Sequence, residues 1–260
     1  MVRSFVAALA SLCILTPAIA QDDRIDELSF DEEQLKEEVV PYFAIGAGPV
    51  FNFLLPSRTD VNARATALGL GDLKAPVIQV GAEIFAAIGV VPNVRLGFSW
   101  VSGSLSSSGD VANMVSGVTV KRTMNYGITS RAFHLDYAIV PMKSLAILPG
   151  VGLGWGEQSI ETYQSQSNLS WTDLTNNETF APAPNAFTRL QQNTLSILPR
   201  VNLEYAVTPF LNLRAQAAYN LQISGSDWVA NNHAVVSNVP SGISVSGLSF
   251  QVGVLVGLFN

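Results

Sequence analysis

The chain has a single cysteine and two histidines, and charged residues make up only 13% of its 260 positions. Past residue 20 it also lacks any apolar run near the ~20 residues of a helical membrane span. The cysteine, Cys13, falls within an export signal. Arg3 is its positive start, Phe5 to Leu15 its apolar core, and Ala18-Ile-Ala20 its small-x-small pattern before Gln21. A lipoprotein signal needs a small residue immediately before its cysteine, and Leu12 is not one. After cleavage the chain is expected to carry no thiol, disulfide or lipid anchor, which excludes cysteine catalysis and cysteine-type zinc sites. No metal and no cofactor is expected. Basic clusters are scarce too: the net charge is -6, and Gln21 to Glu38 is a strongly acidic segment. Nucleic acid is therefore not an expected partner. That segment reads as a tether or a short helix.

What is present is apolar content of 48% and a mean hydropathy of +0.30, dispersed in alternating segments. Leu248, Phe250, Val252, Val254, Val256 and Leu258 share one face of a terminal strand whose other face is mostly Ser, Gln and Gly. Leu211, Leu213, Ala215, Ala217, Tyr219, Leu221 and Ile223 repeat the pattern. Eight strands are predicted, over 39–55, 76–90, 94–102, 118–140, 144–163, 187–207, 211–224 and 244–259. Three connections are short, around Pro92, Met142 and Pro209. Four are long and polar, over 56–75, 103–117, 164–186 and 225–242. Pro149 and Pro199 each predict a bulge or a missing ladder bond, and a change of phase between Ile128 and Phe133 predicts a bulge near Arg131.

The faces opposite the apolar ones carry Glu83, Arg95, His134, Asp136, Arg200, Asn202, Glu204, Arg214 and Gln216. A lipid-facing charge at mid-bilayer costs ~2–4 kcal/mol, so these side chains are expected to line a lumen. Counting back from a three-residue turn at Thr208-Pro-Phe210 places Glu204 opposite Arg214 and Asn202 opposite Gln216. Two polar layers are expected, with Glu83 and Arg200 above Arg95 and Asp136. Gly150, Gly152, Gly154 and Gly156 leave room for these side chains or for a conduit.

Signal, alternating strands, three tight turns, four long loops and an apolar-aromatic last strand resemble the small OmpA/OmpX-type outer-membrane barrels over residues 39–260. The usual terminal aromatic is here Phe259, followed by Asn260. The resemblance implies an all-β fold, a closed antiparallel eight-stranded transmembrane β-barrel in an up-and-down meander with both termini periplasmic. It also implies outer-membrane lipid, lipopolysaccharide and the barrel-assembly machinery as partners. The function expected is structural or interactive, through outer loops in which Trp171, Phe180 and Trp228 either offer contact area for a surface ligand or pack as a lid. A narrow solute channel is the alternative. A lipid-modifying enzyme is third, since His134 beside Asp136 resembles half a triad while no well-placed serine is evident, and His233 lies in a loop. A soluble ligand-holding barrel is denied by the apolar outward faces.

Overall fold

In a computed structural model, which describes residues 42–74, 76–112, 119–165 and 186–259, the alternating segments form one antiparallel sheet that closes on itself. The strands are β1 (Ala44–Pro56), β2 (Val77–Ala87), β3 (Val94–Ala112), β4 (Thr119–Tyr137), β5 (Ile139–Met142), β6 (Leu145–Ser165), β7 (Ala186–Thr208), β8 (Leu211–Gly225), β9 (Val229–Ala230), β10 (Ala234–Val235) and β11 (Gly247–Phe259). Eight of them make the barrel: β1, β2, β3, β4, β6, β7, β8 and β11 pair in that circular order, and the β11–β1 ladder joins the last strand to the first. The signal, the acidic segment, Trp171 and Phe180 lie outside the described residues.

Closure leaves no edge in the lipid-facing part, and every strand alternates there between a lumen face and an apolar exterior. On β6 the exterior runs from Leu145 through Ile147, Val151 and Leu153 to Trp155. That matches the ~9–11 residues of a tilted membrane-spanning strand. Tyr137 and Tyr205 mark one rim of the apolar band, Trp100 and Trp155 the other, all with substantial exposure. No helix among the described residues is long and apolar enough to cross a membrane.

Besides Pro56, the last residue of β1, three prolines occupy the interior of barrel strands, and each keeps one neighbour while facing a gap on its other side. Pro49 pairs with Ala82, and the closing ladder skips from Ala47↔Val256 to Val50↔Gly253. Pro149 pairs with Val201, while pairing is interrupted between Asp136↔Gly150 and Ile139↔Ile147. Pro199 pairs with Val151, and the β7–β8 ladder skips from Ile197↔Leu221 to Arg200↔Ala218. A residue without an N–H is accommodated by giving up one side of the ladder.

Two expectations are corrected. No bulge occurs at Arg131: β4 holds one register with β3 and β6 throughout, because Ile128 points inward and Phe133 outward. The predicted loop over 103–117 is largely strand, since β3 continues to Ala112 and pairs with β4 to its end. Both follow from one reversal. Above Trp100 the outward residues of β3 become Ser102, Ser104, Ser106 and Ser108, while Leu105 and Val111 turn inward against an apolar cluster. The upper parts of β3, β4, β6 and β7 therefore form a wall that is polar outside and apolar inside.

The lid comes from the connections on the opposite side. In the β1–β2 connection, helix α1 (Thr59–Ala67) buries Val61 and Ala65, and Leu70 and Leu73 follow them into the cluster. Arg122 donates to the Leu68 carbonyl at the end of this helix, and Ser107 donates to the Gly71 carbonyl at 2.7 Å. In the β8–β11 connection, β9 pairs with β7 and covers its free edge. Trp228, Ile243 and Val245 complete the cluster around Met124, Tyr126, Ile128, Ile160 and Leu190.

Candidate functional site

The turn end of the lumen holds a closed ring of six charges. Arg95 bonds Asp136 at 2.8 Å, Asp136 bonds Arg200 at 2.7 Å, and Arg200 reaches Glu83 at 3.2 Å. Glu83 meets Arg214 at 2.6 Å, Arg214 meets Glu204 at 2.7 Å, and Glu204 returns to Arg95. Three cations and three anions alternate, each with two partners, so the ring is neutral. Its side chains are at most 2% exposed. Ions so deprived of water are tolerated only when paired and hydrogen-bonded on nearly every side.

Neighbours supply those further bonds. Tyr42 donates to Glu204 and accepts from Arg95, Asn212 donates to Glu204, Gln251 donates to Glu83, and Gln216 accepts from Arg200. The Phe85 ring lies 4.5 Å from the Arg95 guanidinium and 4.6 Å from that of Arg214, within cation–π range. Beneath the ring, Tyr42, Phe85, Leu148 and Leu255 form an apolar floor.

Register brings Glu204 opposite Arg214 and Asn202 opposite Gln216. The turn that sets it differs from the expected one. Thr208 pairs with Leu211 around a two-residue Pro209-Phe210 turn, and an irregularity between Ala206 and Thr208 restores the register. The two expected polar layers are one, because Arg200 is bonded to Asp136 as well as Glu83. Asn202 stands apart, donating to the Leu148 carbonyl.

The glycine row of β6 is filled space. A Cβ on Gly150 would fall 2.0 Å from Asp136 Oδ1, and one on Gly152 would fall 2.7 Å from His134 Nδ1. His134 is not part of the ring; its Nε2 is hydrogen-bonded to Ser99 Oγ at 2.7 Å. Ser99 is the serine that sequence reading did not find. It makes no triad, since Nδ1 has no partner and Asp136 is committed to two arginines. His134 and Ser99 are also both buried. His233 is exposed at the β9–β10 turn.

Trp228 corrects the expectation of exposed contact area. It is 6% exposed and belongs to the lid, held by apolar contacts on the lumen side of the wall. Sequence reading also missed Tyr42, Phe85 and Gln251. Both Gln251, between Phe250 and Val252, and Phe85, two residues past Glu83, were detectable by alternation, but an apolar ring does not announce a lumen position as a polar side chain does.

No protein-family model matches the chain, and no curated protein matches its sequence. Solved structures resemble it at low identity. A major outer membrane protein of Thermus thermophilus has a TM-score of 0.45 and 11% identity, over 84% of this chain and 99% of that one. The outer membrane protein OprG of Pseudomonas aeruginosa has 0.35 and 13%, over 84% and 94%. Ail, the attachment invasion locus protein of Yersinia pestis, has 0.35 and 7%, over 85% and 99%. What such likeness leaves to the chain itself is the decisive part: ladder closure and an apolar exterior make it a closed eight-stranded antiparallel barrel of the outer-membrane type.

Proposed function

We propose that the protein is a non-conducting outer-membrane barrel, without catalytic activity, that holds a folded loop-end surface outside the cell for interaction with other molecules. The observation that carries this reading is the closed six-charge ring, which crosses the lumen with each charge held between two opposite ones. An eight-stranded barrel is only wide enough for its own side chains. The apolar cluster seals the same lumen a second time. With the short turns in the periplasm, both barrel termini lie there and the polar wall stands outside. The wall's outward face and the 164–186 connection, with Trp171 and Phe180, are the surface offered to a ligand.

Planar-bilayer recording tests this. The wild type is expected to insert and show no steady conductance, and removal of residues 164–186 is expected to leave insertion unchanged while abolishing surface binding. Stable ion conductance that responds to Glu83→Gln or Arg200→Gln would replace the plug by a channel.

A further inference from the structure

Where the apolar band meets the polar wall, four strands align in rows. Phe98, Phe133, Leu153 and Ile197 are lateral neighbours on the exterior, followed by Trp100, Arg131, Trp155 and Leu195, and then by Ser102, Thr129, Glu157 and Asn193. The next row is Ser104, Gly127, Ser159 and Gln191. A groove of about 520 Å³ opens here, lined by Arg131, Trp155, Thr129, Ser102, Ser159 and Arg189 among others. Gly127 keeps its floor low, since a Cβ there would come within 2.9 Å of Ser159 Oγ.

The charges at the groove, Arg131 and Arg189 against Glu157 and Glu161, cancel in sum but are unevenly paired. Arg189 is matched by Glu157 at 2.7 Å and Glu161 at 3.6 Å. Arg131 is exposed, and among the described residues no hydrogen bond or ion pair engages it. An unpaired guanidinium thus sits in the row that also carries two tryptophans, at the depth where lipid headgroups begin. Beside it and toward the membrane lies an aromatic group in which the tilted rings of Phe98, Phe133 and Trp155 are 5.1 to 6.0 Å apart.

We propose that this groove binds the phosphate-bearing headgroup of a membrane lipid. Arg131 would take the phosphate in its planar fork, the hydroxyls of Ser102, Thr129 and Ser159 would face the remainder of the headgroup, and the acyl chains would lie on Phe98, Phe133 and Leu153. Lipid is the occupant because the groove is continuous with the lipid-facing band, so a bound headgroup keeps its chains in the bilayer. The inference rests on the barrel spanning a bilayer and is independent of any loop ligand.

The test is lipid retention by the full chain. Protein reconstituted in phosphatidylcholine nanodiscs containing a minor fraction of phosphatidylglycerol is released into detergent, and bound lipids are read by native mass spectrometry. Preferential retention of phosphatidylglycerol is expected. Arg131→Gln should reduce that preference about fivefold, the effect of one basic residue at an anionic surface. Gly127→Leu, which fills the groove and keeps the charge, should reduce it comparably, and Arg131→Lys should reduce it less. Excess inorganic phosphate should not displace the lipid. Equal retention of both lipids, indifference to both Arg131→Gln and Gly127→Leu, or displacement by phosphate overturns the inference alone. Failure of the wild type to insert overturns it together with the barrel reading.

Discussion

The two ends of this lumen are built on opposite rules although β3, β4, β6 and β7 run through both. At the turn end the strands are apolar outside and surround Arg95, Asp136, Arg200, Glu83, Arg214 and Glu204. Past Trp100 and Trp155 they are polar outside and surround Met124, Tyr126, Ile128, Ile160, Leu190 and Trp228. The solvent on the outer face decides which rule applies. In hydrocarbon, an apolar interior gains nothing over an apolar exterior, and cohesion comes from hydrogen bonds strengthened by low dielectric. In water, burying apolar surface contributes ~25 cal/mol per Å², so the wall and lid fold as a soluble sheet with a helix against it.

The sharpest way to break this comparison is to remove one charge from the ring. Glu204→Ala leaves Arg95 and Arg214 each short of a partner with no water at hand, an expected loss of ~3–5 kcal/mol in urea unfolding from lipid vesicles. Glu204→Leu combined with Arg214→Met leaves a neutral chain of Arg95, Asp136, Arg200 and Glu83. That double variant should cost clearly less than the sum of its singles, and additivity would mean the six residues do not act as a closed ring. At the other end, Trp228→Ala removes a buried aromatic and should cost ~3 kcal/mol. The loss is expected in the lid alone: limited proteolysis should cut the 225–242 connection while heat-modifiable migration of the barrel is retained. Smallest is the exposed counterpart of the ring, since Arg189 and Glu157 are each more than a third exposed in the wall. Arg189→Gln should change stability by no more than ~1 kcal/mol, and a change as large as that of Glu204→Ala would erase the distinction between the ends.

The same inversion explains how much was legible in the sequence. The lipid-facing strands were readable because alternation with apolar residues outward fixes both strand and face. Beyond Ser102 the period persists while the faces exchange character, so β3 looks as if it stops and β4 looks as if it slips a residue at Ile128. Lumen charges could be named from alternation, and Glu204 and Arg214 could be matched from a turn because they are ladder neighbours. The ring could not. Arg200 to Glu83 and Arg95 to Glu204 join strands that are not adjacent, and only the closed curvature of the sheet brings them together. His134 was visible and Ser99 was passed over for a different reason: they are diagonal neighbours on the adjacent strands β3 and β4, whose register no short turn sets.

The barrel's rim is uneven. β3, β4, β6 and β7 rise well past the apolar band, whereas β8, β11, β1 and β2 end close to it, and the lid leans from the low side onto the tall one. The outer surface therefore has a direction. A molecule coming from the tall side meets serines, threonines and charged side chains together with the exposed rings of Tyr163 and Phe187, while one coming from the low side meets the back of the lid close to the bilayer plane. Such a shape admits neighbours unequally around its circumference, so proteins packed beside it in a crowded membrane would find one orientation of this barrel different from every other.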